Sequence, residues 1–279
     1  MGNLTMDNVS ALSVQYWHFS LDYFLDSMVK CGIHNIEFWP GEPHYYRGNY
    51  ASSGEAARAI RAIRAKMEQM GLKVVMFTPE TLSYPFNPAG NSPSYRDRTL
   101  DMYKAAMDDA LEFGTNQMFC NAGWGVLDRP RQASWDCAVE TIRRACAHAA
   151  RMGVELNLEA LQPYESNLVN SAADLARFLN DVGADNLYAV IDLGAMATAG
   201  DTIETYFEAL PGRIRHLHFC DRNHEVPGDR DLPLAECIDY LNAQGFDRYL
   251  SLEVFDDMYL SNPHEAYRRS AEWLRRRLS

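Results

Sequence analysis

Eight short apolar runs rich in β-branched or aromatic residues alternate with longer segments of helical period, and this alternation limits the folds open to the chain more than any single motif does. The runs are 12-LSVQY-16, 35-NIEFW-39, 73-KVVMF-77, 117-QMFCN-121, 155-ELNLE-159, 187-LYAVID-192, 214-IRHLHF-219 and 249-YLSLEV-254. Helices are predicted near 20–31, 53–70, 94–113, 132–152, 171–182, 202–210, 233–243 and 263–278. Their punctuation is readable: Ser53 precedes the second helix and Gly71 follows it, Gly153 ends the fourth, and Ser171 is placed to cap the fifth. Eight βα units in 279 residues predict an α/β fold of the closed (β/α)8 kind, a TIM barrel. A doubly wound open sheet is the alternative, but neither GxGxxG nor a P-loop pattern occurs to support it.

Composition narrows the classes of function. With 47% hydrophobic and 23% charged residues the chain can bury a large core, and a single domain over residues 1–279 is expected. A net charge of −12 argues against nucleic acid or an anionic membrane as the main partner. The one dense basic run, Arg275 to Arg277, reads as a helix end whose dipole favours cations. The six cysteines show no CxxC pair and read as reduced thiols. No basic-then-apolar leader and no long apolar window occur, so a cytoplasmic protein is expected.

In a barrel the side chains at the C-terminal ends of the strands converge, so acids there carry more meaning than acids elsewhere. The last four strands end in, or near, Glu159, Asp192, His218 and Glu253, each about one βα unit from the next. Taken singly, each acid reads as a cap or a solvated loop residue, and His218 as a hydrogen-bonded core histidine. Taken together, one per strand end, they form an O3N ligand set suited to Mn2+, Mg2+ or Co2+, with Zn2+ left open. His216 and His218 alternate and so share a strand face, His218 nearer the mouth. Asp221 is either an acceptor that fixes an imidazole tautomer or a turn residue.

Several stretches carry a resemblance: 35-NIEFWPGEPH-44, 78-TPETLSYPFN-87, 158-LEALQPYESNLV-169, 214-IRHLHFCD-221 and 251-SLEVF-255. Over nearly its whole length the chain resembles the xylose-isomerase-like barrels, within them the D-tagatose/D-psicose 3-epimerase type, and among these the fructoselysine 3-epimerases. The resemblance implies a metal-dependent ketose 3-epimerase, with Mn2+ foremost, held by Glu159, Asp192, His218 and Glu253. It also implies a substrate contact at Glu165 and a homodimer or homotetramer. Two positions depart from the free-ketohexose enzymes, which carry histidine where Ala195 stands and arginine where His224 stands. The departure points to an amino-substituted or otherwise modified ketose.

Epimerising a carbon beside a ketone needs an acidified C–H and a proton carrier on each face, and Glu159 and Glu253 are expected to be that pair. Tyr16, Trp17, Trp39, Phe77 and Trp124 fall at or just beyond strand ends, where Tyr16 and Trp124 are candidates to pack against a sugar. The loop 40-PGEPHYYRGNY-50 has the composition of a lid, with His44 as its recognition candidate, and Glu80 is a weaker polar candidate. Arg222 and Arg230 offer an anion contact. The rival reading is a lyase on the same barrel, of the inosose dehydratase or C-glycoside deglycosidase kind, the latter with a heteromeric partner. A non-catalytic sugar-binding barrel is disfavoured, because binding alone needs no opposed pair of bases.

Overall fold

The computed structural model describes residues 4–81 and 85–278. Its strands are β1 (Val9–Leu12), β2 (Asn35–Phe38), β3 (Lys73–Phe77), β4 (Gln117–Asn121), β5 (Glu155–Glu159), β6 (Leu187–Asp192), β7 (Ile214–Phe219) and β8 (Tyr249–Leu252). They follow one another in sequence order and close as a barrel, the TIM-barrel class that the eightfold alternation predicts. β8 pairs in parallel with β1, Val9 opposite Leu250 and Ala11 opposite Leu252. Most strand residues are buried, which is why these strands read as near-continuous apolar runs rather than as alternating ones.

Nine α-helices occur among the described residues: α1 (Leu21–Cys31), α2 (Ser53–Gln69), α3 (Pro93–Phe113), α4 (Arg131–Met152), α5 (Ala172–Val182), α6 (Leu193–Ala199), α7 (Ile203–Ala209), α8 (Leu234–Ala243) and α9 (Pro263–Arg275). Side-chain oxygens start several of them. Ser20 accepts the Tyr23 amide and Ser171 that of Asp174, while Gly153 ends α4 in the left-handed region. The cap of α2 is Ser52, which accepts the Glu55 amide, and Ser53 is already the first helical residue.

The chain divides into two compact units, residues 1–77, 112–115 and 216–279 in one and 78–111 with 116–215 in the other. The first packs Phe38 and Phe77 on Phe113, with ring centroids 4.6 and 5.6 Å apart. A second cluster sets Tyr16 against Phe24 and Tyr267 at 5.0 and 5.4 Å. From α9 the Tyr267 hydroxyl donates to Leu12 O at 2.6 Å and Leu252 O at 3.3 Å, riveting the β1–β8 seam. The second unit packs Trp135 of α4 edge-on to Phe178 of α5 at 5.2 Å, its indole N–H donating to Asp181 at 2.8 Å.

Two expectations need correction. The first strand is Val9–Leu12, not 12–16, and Val14–Tyr16 forms a 3-10 turn. The chain breaks direction at Ser13, whose N–H donates to Glu37 O at 3.1 Å and whose hydroxyl accepts the Trp39 amide at 2.9 Å. Between β6 and α7 an additional helix, α6, starts directly on Asp192, whose carboxylate accepts the Ala195 amide. β2 and β8 also stop short of the expected runs, at Phe38 and Leu252. Leu82 to Tyr84 of the TPETLSYPFN stretch lie outside the described residues. Among the described residues no helix is long and apolar enough to cross a membrane.

Candidate functional site

In the first unit, β7 alternates its side chains so that His216 and His218 emerge on one face, both about 1% exposed. Their Nε2 atoms meet a single carboxylate, Glu37 of β2. His216 lies 2.7 Å from Oε2 and His218 3.1 Å from Oε1. The three residues form a buried grouping of metal-binding types. Burial alone would raise the Glu37 pKa, but the adjoining His218 and His216 rings outweigh it and hold the carboxyl well below its usual range. Glu37 sits where the β2–β3 register slips by one residue, between Ile36 and Glu37. The sequence reading did not single it out. The signal was present, because a carboxylate inside an apolar strand demands a buried partner.

Glu253 follows the last residue of β8. Its Oε2 is 2.9 Å from His218 Nδ1 and 3.6 Å from His224 Nε2. That oxygen is buried and accepts no hydrogen bond among the described residues, so its closeness to His218 is not that of an aligned donor and acceptor. His224 and Asn223 both adopt positive φ, 57° and 55°, a conformation that non-glycine residues rarely take in tandem. Asp221, fully buried just before them, accepts the backbone N–H groups of Arg222, Gly228, Arg230 and Leu232 at 2.9 to 3.2 Å. Of the two roles left open for Asp221, the structure displays the turn-forming one.

Two substrate candidates of this unit sit in packing. Tyr16 is fully buried, its hydroxyl 2.6 Å from Ser27 Oγ. His44 is buried, its ring stacked on Phe24 at 5.7 Å and its Nε2 3.1 Å from Phe19 O. Burial lowers the His44 pKa against the partial offset of the carbonyls of Phe19 and Tyr16. Trp17 is 41% exposed, stacked on His18 and edge-on to Phe255.

In the second unit, Glu159 ends β5 and Asp192 ends β6, both buried. Glu159 lies opposite Asn121 on one side and Val190 on the other. One Asp192 oxygen is engaged by the first turn of α6 at the amide of Ala195. Tyr206 of α7 is buried in the same unit; burial, followed by the charges of Asp201, Asp192 and Glu159, raises its pKa and keeps the phenol neutral. Glu165 Oε2 accepts the Gln162 amide at 2.9 Å, which braces the turn after β5. Trp124 is half-buried, and Asn87, the end of the TPETLSYPFN stretch, grips its backbone through both amide atoms at 2.9 and 3.2 Å. Gly123 beside it has φ 71°, and a Cβ there would come within 2.1 Å of Asn87 Oδ1.

Comparison with known proteins adds an independent line. The profile of the family described as xylose isomerase-like TIM barrel matches residues 25–277. Fructoselysine 3-epimerase of Escherichia coli O157:H7 is 30% identical over 251 residues, 88% of this chain and 89% of that protein. L-ribulose 3-epimerase of Mesorhizobium japonicum is 29% identical over 136 residues, 48% of this chain and 46% of that protein. Among solved structures, D-psicose 3-epimerase with D-tagatose from Clostridium cellulolyticum superposes with a TM-score of 0.78 at 18% identity, covering 96% of each chain, which is a likeness of fold.

Proposed function

The chain belongs to the xylose isomerase-like TIM barrel family, and from that premise we propose that it is a divalent-metal-dependent ketose 3-epimerase whose substrate is a substituted ketose of the fructoselysine kind. It is an enzyme of the epimerase and isomerase class, as its relatives named for sugar 3-epimerisation support. The proposed cation ligands are Glu159, Asp192, His218 and Glu253, the acids and the histidine at or near the ends of the last four strands. The donor chemistry fits: three carboxylates and one imidazole suit Mn2+, Mg2+ or Co2+.

The observation that carries the reading is the pair His218 Nδ1 and Glu253 Oε2, buried and 2.9 Å apart without hydrogen-bond alignment. An imidazole nitrogen and a carboxylate oxygen are both ligand atoms that a divalent cation would accept, and this pair already stands close enough to share one.

The reaction inverts a carbon bearing hydrogen next to a ketone. Glu159 and Glu253 are the two proton carriers, one taking the C3 proton and the other returning a proton to the opposite face of the planar enediolate. The roles exchange for the reverse direction, and each positioned carboxylate contributes about 10²–10⁴-fold. A bound divalent cation supplies electrophilic stabilisation of the developing negative charge. Glu165, Trp124 and His224 are assigned to substrate contact, while Tyr16 and His44 act from behind, through packing. Ala195, where free-ketohexose enzymes carry histidine, removes one polar grip and favours a substrate anchored through its substituent.

The test is proton exchange. The Mn2+-loaded enzyme is incubated in D2O with fructoselysine or with D-psicose, and each sugar is read by 1H NMR after the protein is filtered off. Deuterium at C3 of fructoselysine, with at least ~100-fold slower exchange in Glu253→Gln, is expected. Absence of exchange in both sugars, or loss of water or an aglycone, would remove the epimerase reading.

A further inference from the structure

We propose that Glu37 is a positioning residue that holds the proton of both β7 imidazoles on Nε2 and thereby presents the Nδ1 lone pair of His218 as a ligand atom. The inference deepens the metal reading of the same site and rests on it.

The argument starts from what a carboxylate can do. An ionised carboxylate only accepts hydrogen bonds, so a ring nitrogen bonded to it must carry hydrogen. Glu37 meets Nε2 of His216 through one oxygen and Nε2 of His218 through the other, at 2.7 and 3.1 Å. A neutral imidazole has one N–H, so placing it on Nε2 leaves a lone pair on Nδ1. In His218 that atom faces Glu253 Oε2 at 2.9 Å. Had the proton been on Nδ1, that atom would have no lone pair and the ring would be lost as a ligand through it.

The geometry shows why one carboxylate serves two rings. Period-two alternation puts both histidines on the same face of β7, with centroids 5.5 Å apart and planes at 88°. The register slip at Ile36/Glu37 re-aims the Glu37 side chain within β2. The backbone there is held separately, Glu37 O accepting the Ser13 amide at 3.1 Å, so the strand does not depend on the side chain for its place. Glu37 is completely buried, and two N–H donors are what make a charge there tolerable. Carboxylates that orient a metal-binding histidine through its other nitrogen typically govern metal affinity by 10–100-fold.

The experiment reads the proton directly. Long-range 1H–15N correlation on the metal-free, 15N-histidine-labelled protein should show both His216 and His218 as Nε2–H tautomers. In Glu37→Gln the amide offers one acceptor and one donor, so one of the two rings must move its proton to Nδ1. Co2+ affinity, followed by calorimetry and by the visible spectrum of the bound ion, should fall about 10–100-fold in that variant and recover in part in Glu37→Asp. An Nδ1–H tautomer of His218 in the wild-type protein overturns the proposal even if no variant folds. Glu37→Gln with both tautomers and Co2+ affinity unchanged overturns it as well. Nε2–H tautomers in a wild-type protein that takes up no Co2+ would sink the metal reading, and the presentation of Nδ1 with it, while leaving the two protons under the control of Glu37.

Discussion

The carboxylate of Asp221 reaches seven residues along the chain to hold the backbone amide of Gly228 at 3.0 Å, and with its two oxygens it gathers three further amides of the same loop. Asp221→Asn would turn a donor toward groups that are themselves donors. The expected loss is about 2–4 kcal/mol of stability, read as a lower urea midpoint at unchanged slope.

The proposed centre predicts stabilisation by its ion. Mn2+ at 100 times its dissociation constant should add about 2.7 kcal/mol, seen as a rise in Tm that EDTA reverses. In Glu253→Gln the rise should shrink, and an equal rise in both proteins would place the ion elsewhere.

His44 sets a pH dependence of stability. Burial depresses its folded-state pKa below the ordinary 6.5, so the native ring stays neutral where the unfolded one is protonated. Its contribution is therefore complete above pH 6.5 and declines as the pH falls toward the folded value, by at most ~1.4 kcal/mol per pH unit. Urea titrations from pH 7.5 to 5.0 should give a shallower decline in His44→Gln than in the wild type. Parallel curves would assign the dependence to other groups.

Thiol chemistry should single out one cysteine. Cys31, Cys120, Cys146, Cys220 and Cys237 are buried, and Cys137 is only partly so. Burial pushes the Cys146 thiol up to about 12; Cys120, raised by burial and by Cys146, lies well above its usual value. The native protein should release about one equivalent of chromophore from a disulfide reagent, lost in Cys137→Ser, and six after denaturation.

Much of this was legible in the chain. β3 to β7 begin and end where their apolar runs do, because strands buried on both faces leave unbroken hydrophobic text. β1 was not legible: Val9–Leu12 contains Ser10 and Ala11, whose small side chains dilute the signal, while Val14 to Tyr16 imitates a strand. Asp192 drew attention as a strand-end acid, and that obscured its second role as the cap of α6. Glu37 stayed hidden for a different reason. Its partners lie 179 and 181 residues away, and no local pattern announces that two histidines of β7 share one acceptor on β2.

The Asp221 loop has one more consequence. Successive backbone amides that converge on a point make a cup for an anion, as phosphate-binding loops do. Here the chain's own carboxylate already fills that cup, with an amide at each of four positions from 222 to 232. Those dipoles are neutralised from within, so this segment holds its shape without a guest and its main chain has no such attraction left to extend to a charged one.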